Sequence, residues 1–372
     1  MIVHRERTDA LAEALRRRIT PDSVVVDVGT GPGILALLAC QYGARKVYAI
    51  EIEDVIQVAR ECAEIAGYAD RIEFIQGDSS KITLPERVHG IASDIRGNLP
   101  VFGSSLCVMR DARERFLLPG GWIIPTRDTL WAAAVSCATD FDTNLGIWIN
   151  NPYGFDMTPA RRRVLNTPRR IRSRGEDLVT APARWAVVDY ETLSDPNVEG
   201  QARMEVHTAR EAHGLCVWFD CETAEGLGFS RSPATPEADI FGQVFFPWPE
   251  CVTMCEGDVV SVSLKATLVG PDYVWQWNSM IRSADGQAKA DFHQNNLMGS
   301  AISAQQLRRR AHSHVPRLSS EGEVTFEILQ RMQEGARLEE IAREIAARHP
   351  EPYPRWEDAL SRVADMSEKY GL

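Results

Sequence analysis

The first part of the chain alternates short apolar runs with segments whose apolar residues recur at helical spacing. The predicted strands are 23–28, 46–51, 72–76 and 90–93, a fifth follows Leu118, and helices are predicted at 33–41 and 55–66. Strands that alternate with helices along the chain favour a parallel sheet covered by helices on both faces. The pattern therefore predicts an α/β domain over residues 1–127.

From about Asp128 the pattern changes to residue-by-residue alternation, which is typical of half-buried strands. The predicted strands are 130–136, 183–189, 215–222, 259–268 and 273–281. They indicate an antiparallel domain over 128–312, interrupted at about 140–180 by a stretch rich in Pro, Asn and Arg. Helical spacing returns at 322–332, 338–347 and 356–370, which predicts a small helical domain over 313–372.

Composition and charge narrow the classes of function. The 372 residues carry a net charge of -11, which disfavours a protein that coats nucleic acid or an anionic membrane. The first 18 residues are charged throughout, and no run of about 18 uncharged apolar residues occurs. Neither the eight cysteines nor the eight histidines have metal-ligand spacing. We expect a cytoplasmic protein that needs no metal.

The strongest motif is a buried strand that runs into three glycines and then into a helix. Glycine lets the backbone turn sharply and lets a ligand approach closely. An acid, Asp27, precedes the first glycine, and the second strand ends in Glu51, where a carboxylate can accept from both hydroxyls of a ribose. Asp78 follows the third strand, where it can meet the edge of an adenine ring. Together these positions predict S-adenosylmethionine as the cofactor, rather than a dinucleotide.

The predicted cofactor site includes the motif residues and their immediate neighbours. Its members are Asp27, Gly29, Thr30, Gly31, Gly33, Ile34, Glu51, Ile52, Asp78 and Ser79.

The segment 24–51 resembles the first motif of the protein arginine methyltransferases, and the resemblance continues to about residue 282. Other matching segments are 113–125, 151–157, 177–193 and 213–220. The resemblance implies a Rossmann-like class I methyltransferase domain, a β-barrel domain for the substrate, and a homodimer formed through an arm at about 140–180. Met1-Ile2 with Arg7 resembles the N-terminal helix of that family, whose arginine pairs with the cofactor carboxylate.

The loop that binds the acceptor departs from the family pattern. The family uses Ser-Glu, two residues, Gly, five residues and a second Glu; here Ser93 is followed by Asp94, and Gly103 stands at the second glutamate. A guanidinium binds best to paired carboxylates. The family's Thr-His-Trp loop is replaced by Asp239-Ile240-Phe241. These departures suggest a divergent, bacterial-type member of the family with a changed substrate.

We therefore expect methyl transfer to a small molecule, such as an aromatic or indole-containing natural-product intermediate of secondary metabolism. Asp94 would be the base or the orienting acceptor for the attacking atom. The tryptophans of the second domain are consistent with an aromatic acceptor. Candidate substrate-binding residues are Arg96, Asn98, Phe241 and His293.

Two alternatives stay open. The chain could methylate free or peptidyl arginine, with carboxylates from elsewhere completing the clamp. It could also be an inactive scaffold that binds the cofactor without turnover. The last 60 or so residues resemble small winged-helix peptide-binding modules of the PqqD type, and they could present a carrier or a peptide.

Overall fold

The computed structural model describes residues 4–148, 150, 153–235, 242–301 and 303–371. The chain divides into two compact units, Met1–Ser300 and Ala301–Leu372. None of the helices in the described part of the chain combines the length and the apolarity needed to span a bilayer.

The first unit begins with a five-stranded parallel sheet, as the sequence predicts, and the order of its strands is β3-β2-β1-β4-β5. Its strands are β1 Val24–Val28, β2 Lys46–Glu51, β3 Ile72–Gln76, β4 Val88–Ser93 and β5 Leu117–Ile124. Its helices are α1 Arg5–Arg18, α2 Ile34–Gln41, α3 Ile56–Ala66 and α4 Ser105–Phe116. All five residues of the central strand β1 are buried, because the strand lies between two neighbours and under helices. The chain order reverses between β1 and β4, which is where such sheets bind ligands.

The rest of the unit forms two antiparallel sheets, which confirms the predicted change of architecture. The larger sheet contains β6 Arg127–Val135, β7 Arg169–Ile171, β8 Ala183–Asp189, β10 Glu211–Ala224, β11 Leu227–Ser230 and β12 Gln243–Thr253. The smaller sheet contains β9 Val198–Glu205, β13 Val259–Val269, β14 Asp272–Arg282 and β15 Ala288–Asn295. Helices α5 Ala138–Asn144 and α6 Thr158–Leu165 fall in the Arg-rich stretch, which the sequence left without elements.

Aromatic side chains fill the barrel-like space between the antiparallel sheets. Phe246 lies edge-on to Trp275 and Trp277, with ring centroids 5.1 Å and 5.3 Å away. Trp248 donates from Nε1 to Ser279 Oγ at 3.0 Å, so its polar atom is satisfied inside the core. Trp248 and Trp277 are fully buried. These tryptophans therefore stabilise the fold and give no support to an aromatic acceptor.

The second unit is helical in the residues described. It contains α7 Ala304–Arg310, α8 Ser320–Gln333, α9 Leu338–Arg348 and α10 Trp356–Tyr370. Ile328, Ile341, Ile345 and Val363 are its most deeply buried large side chains. Between residues 303 and 371 the chain forms helices and turns and no strand, so the wing of a winged-helix module is not seen there.

Candidate active site

A cavity of about 610 Å³ opens where the strands of the parallel sheet end. Residues from the ends of β1 and β2 and from the segments after β3 and β4 line it, among them Gly29, Glu51, Asp78 and Asp94. Small-molecule and cofactor sites occupy clefts of roughly 300–1,000 Å³, so the cavity is large enough for a nucleoside-sized ligand.

The loop after β1 requires glycine at two positions, because each has a positive φ and leaves no room for a side chain. Gly29 has φ 73°, and a Cβ there would lie 2.2 Å from Ile95 Cγ2, on the loop that follows β4. Gly33 has φ 88° at the start of α2, and its Cβ would lie 2.9 Å from the Cβ of Ala59. A side chain at either position would push the loop away from its neighbours and change the edge of the cavity.

Asp27 lies beneath this loop, outside the cavity lining. Its Oδ2 accepts from Thr30 Oγ1 at 2.6 Å and from Ala36 N at 3.1 Å, and it is almost completely buried. Burial raises the pKa of Asp27 to about 7. In this geometry Asp27 ties the glycine loop to the first turn of α2.

Two further carboxylates reach the cavity with their orientation already fixed. Glu51 accepts from Gly31 N at 2.9 Å through Oε2 and from Ile52 N at 2.8 Å through Oε1. Asp78 accepts from Ser80 Oγ at 2.8 Å and from Ser80 N at 3.0 Å, and these bonds lower its pKa. Both carboxylates are therefore oriented to accept hydrogen bonds from hydroxyl or amine groups of a ligand.

Asp94 lies at the end of β4, between two arginines. Arg96 Nη2 pairs with Asp94 Oδ1 at 3.0 Å, and Arg7 Nη2 of α1 pairs with Asp94 Oδ2. The side chains of Asp94 and Arg96 are only 5% and 4% exposed. Burial, and then the charge of Arg96, lower the pKa of Arg7 to about 10. Two buried cations thus pair with one carboxylate at the wall of the cavity.

Another wall of the cavity is formed by the loop after β4 and by a turn of the smaller antiparallel sheet. Phe102 is 59% exposed, and Gly103 has φ 48°, a left-handed conformation that a glutamate would adopt only with strain. Pro271, in the turn between β13 and β14, completes this wall. The second carboxylate of the family loop is therefore absent, and the local backbone favours glycine in its place.

The predicted cofactor residues and Asp94 fall into two groups, and the predicted substrate residues form a third that is described separately. The residues that line the cavity are Gly29, Glu51, Ile52, Asp78, Ser79 and Asp94. The residues that support it from α1, from β1, from the glycine loop and from the start of α2 are Arg7, Asp27, Thr30, Gly31, Gly33 and Ile34.

The predicted substrate residues do not converge on the cavity. Arg96 turns inward and lines a small neighbouring space, and Asn98 is half-buried in the same loop. His293 is 70% exposed on β15, where it contacts Asn278 and Asp291. Phe241 lies outside the described residues.

Several residues of the site carry no local signal in the sequence. Ile95, Phe102, Val108 and Pro271 line the cavity, and Asp128 holds Arg96 from β6. Val108 lies in α4, Asp128 lies in β6 and the other three lie in loops or turns, so no shared local pattern in the sequence marks them as members of one site.

Two family models match adjacent parts of the chain. "Ribosomal protein L11 methyltransferase (PrmA)" matches residues 4–124, and "Arginine methyltransferase oligomerization subdomain" matches residues 126–270. Among curated proteins, "Probable protein arginine N-methyltransferase 6" of Arabidopsis thaliana is 31% identical over 63% of this chain and 55% of its own length.

Two solved structures share the fold. The Trypanosoma brucei PRMT1 enzyme–prozyme heterotetrameric complex with AdoHcy has a TM-score of 0.73 at 24% identity, covering 79% of this chain and 96% of that one. Arabidopsis thaliana protein arginine methyltransferase 10 has a TM-score of 0.69 at 25% identity, covering 79% and 95%.

The chain is protein arginine methyltransferase-like in its sequence and in its fold. It spans little more than half the length of its Arabidopsis thaliana relative. The expectation of a small aromatic acceptor and of a role in secondary metabolism is wrong, because the relatives are named as protein arginine N-methyltransferases. A small molecule as the binding partner is overturned with it. That expectation gave too much weight to one missing glutamate and to tryptophans that are core residues.

Replacing Asp27 should change how stability depends on pH. The folded-state pKa of about 7 lies above the ordinary 3.8, so the folded protein keeps a proton that the unfolded chain releases. Between pH 4 and 7 this group costs about 1.4 kcal/mol of stability for each unit that the pH rises. In Asp27→Asn that loss is absent. The free energy of unfolding of the variant, minus that of the native protein, should therefore increase as the pH rises from 5 to 7.

Urea unfolding followed by tryptophan fluorescence at pH 5, 6 and 7 measures this difference, with the exposed Asp22→Asn as the control. A difference between Asp27→Asn and native protein that stays constant with pH would show that Asp27 is ionised in the folded state.

Proposed function

We propose that the protein transfers a methyl group from S-adenosylmethionine to the guanidinium of an arginine in a peptide or protein. The observation that carries this proposal is that one cavity contains both Glu51 and Asp78, which suit the nucleoside, and Asp94, which suits a cationic acceptor. The names of the relatives support the choice of acceptor.

The cofactor side of the cavity fits S-adenosylmethionine. The glycine loop allows close approach of the ligand, and Glu51 has a fixed carboxylate for the two ribose hydroxyls. Arg7, which pairs with Asp94 from α1, is a residue type suited to the cofactor carboxylate. The bound AdoHcy in the Trypanosoma brucei complex belongs to a protein of the same fold. When bound, the cofactor would supply an electrophilic methyl group on sulfonium.

The acceptor side depends on Asp94. An ionised carboxylate offers about four acceptor positions, and the two arginines take one on each oxygen. The remaining positions can accept N–H bonds from an incoming guanidinium. Asp94 would orient one guanidinium nitrogen toward the methyl group and receive its proton as the N–CH₃ bond forms and the S–CH₃ bond breaks.

Access to the cavity is consistent with an acceptor that is part of a longer chain. Phe102 lines the cavity and is largely exposed, and Pro271 lines the same cavity from an exposed turn. A side chain as long as arginine could enter between them while its peptide stays outside.

The direct test is transfer of labelled methyl from S-adenosylmethionine to an arginine-rich peptide, compared with the same peptide carrying lysine and with free arginine. We expect label in the arginine peptide only. In Asp94→Asn the turnover should fall by about 10² or more, the typical contribution of a positioned acid or base. The exposed Asp70→Asn is the matched control and should keep native turnover.

Label in free arginine alone would restrict the acceptor to the amino acid. An absence of label in every arginine acceptor, while the cofactor still binds, would contradict the proposal and favour an inactive cofactor-binding protein.

Glu51→Ala tests the placement of the cofactor. Losing hydrogen bonds to a charged group should weaken binding of S-adenosylmethionine by about 1–3 kcal/mol, which calorimetry measures directly. Glu53→Ala, two residues away and exposed, should bind the cofactor normally. Equal affinities in the two variants would mean that the nucleoside does not lie against Glu51.

We also propose that the protein forms a homodimer through the segment at about 140–180. The matched family model is named as an oligomerization subdomain and covers this segment. Tyr153 and Phe155 lie within it and are 80% and 70% exposed in the single chain, which is unusual for adjacent large aromatic side chains.

The double variant Tyr153→Ser/Phe155→Ser should sediment as a monomer at concentrations where the native chain is a dimer. Phe326→Ser removes an exposed aromatic residue from α8 instead and should leave the dimer intact. A native chain that sediments as a monomer at tens of micromolar would contradict this assembly.

A further inference from the structure

Behind Asp94, away from the cavity, a second carboxylate lies at the start of β6. Asp128 Oδ1 accepts from Arg96 Nη1 at 2.8 Å, and Arg96 Nη2 pairs with Asp94 Oδ1 at 3.0 Å. The two terminal nitrogens of one guanidinium are therefore each bound by a different aspartate. Paired carboxylates around a planar guanidinium are the arrangement that binds an arginine side chain best.

The surroundings of Arg96 complete a built site. The rings of Phe219 and Phe229 each lie 5.4 Å from its guanidinium carbon, and Cys221 Sγ accepts from Nη1 at 2.8 Å. Burial alone would lower the pKa of Arg96, but the charge of Asp128, together with Cys221 and Tyr190, raises the pKa above its ordinary value. Arg96 is therefore a permanently charged guanidinium.

Asp128 is itself fixed from its other side. It is completely buried, and its Oδ2 accepts from Tyr190 Oη at 2.6 Å. A chain of contacts thus runs from Tyr190 through Asp128 and Arg96 to Asp94. Its members come from the antiparallel sheet and from the loop after β4, so the orientation of Asp94 is set by both parts of the unit.

Such support matters because Asp94 has no second carboxylate beside it in the cavity. Gly103 stands where the family pattern has the other glutamate. A single aspartate that could rotate freely would orient an acceptor poorly, and a misplacement of 1 Å can cost about 10² in rate. Arg96 holds Oδ1 of Asp94 and Arg7 pairs with Oδ2, so the carboxylate has a fixed orientation at the wall of the cavity.

We propose that Asp94 and Asp128 form an internal guanidinium clamp whose permanent occupant is Arg96, and that this clamp positions Asp94 for the acceptor. Arg96 is then a positioning residue and does not touch the substrate. The kinetic part of the proposal rests on the proposed function, since it takes Asp94 as the residue that meets the arginine.

The experiment is chemical rescue. Arg96→Ala should lower kcat by about 10²-fold, with the dissociation constant of S-adenosylmethionine changed by less than about threefold. Guanidinium chloride at 1–20 mM should restore kcat by at least about tenfold and should saturate, because the small cation can occupy the vacated clamp. The same salt should not activate the native protein. Sodium chloride at equal ionic strength controls for screening.

Arg96→Lys is the matched variant. Lysine keeps the positive charge but cannot present the planar fork that two carboxylates share. We expect low turnover and no rescue, because the lysine side chain fills the space. Native turnover in Arg96→Lys, or in Arg96→Ala without guanidinium, would overturn the proposal.

A double variant tests whether low turnover results from loss of folding. Removing Arg96 alone leaves buried Asp128 without its cation, which destabilises proteins strongly. Arg96→Met/Asp128→Asn removes both charges together and should fold, as thermal unfolding can confirm. We expect its turnover to stay low and insensitive to guanidinium; turnover equal to that of the native protein would overturn the proposal.

Crystal structures distinguish failure of the clamp from failure of the proposed function. If the native protein methylates no arginine, the proposed function fails, and the clamp is judged by Arg96→Ala grown with and without guanidinium. The proposal expects guanidinium between Asp94 and Asp128 at about 3 Å from each, and an Asp94 carboxylate that is displaced in its absence. An unbound clamp, or an Asp94 that does not move, would overturn it.

Discussion

The Asp94 carboxylate lies between two buried arginines, and the rest of the site is arranged around this interaction. Arg7 comes from the N-terminal helix α1, and Arg96 comes from the loop after β4. Through Asp128 the same network reaches the first strand of the antiparallel sheets. Buried ion pairs often add little net stability, because desolvating the charges offsets their attraction. Their value here is geometric, since each charge fixes the direction of the next.

The two sides of the cavity follow different physical rules. On the cofactor side the backbone provides the site: glycines turn the loop, and Glu51 and Asp78 accept from backbone N–H groups that fix their carboxylates. On the acceptor side, buried side chains from distant parts of the sequence provide it. The first arrangement is local in the chain, and the second exists only in the folded molecule.

This difference explains how much of the protein could be predicted from its sequence. The five parallel strands and the glycine loop were predictable, because apolar runs and glycine spacing are local signals. Strand β15 was not, because it is a mostly exposed segment with few apolar residues, and Pro247 and Pro249 disguise strand β12. For the antiparallel sheets, the sequence predicted the architecture but only some of the strands.

The acceptor was predicted wrongly for a related reason. The sequence shows that Gly103 replaces a glutamate, and it places Arg96 among the candidate substrate-binding residues. In the structure Arg96 points inward and is neutralised by Asp128, a residue 32 positions along the chain. No local pattern pairs these two residues. The names of the relatives overturn the small aromatic acceptor and support the proposal of arginine in its place.

The most direct measurement is a crystal structure of the protein with S-adenosylhomocysteine and an arginine-containing peptide. The arginine side chain should enter between Phe102 and Pro271, and one of its guanidinium nitrogens should lie at about 3 Å from Asp94, the distance of a hydrogen bond. Arg96 should remain between Asp94 and Asp128. A peptide guanidinium bound away from Asp94, or one that displaces Arg96 from Asp128, would contradict the site described for this chain.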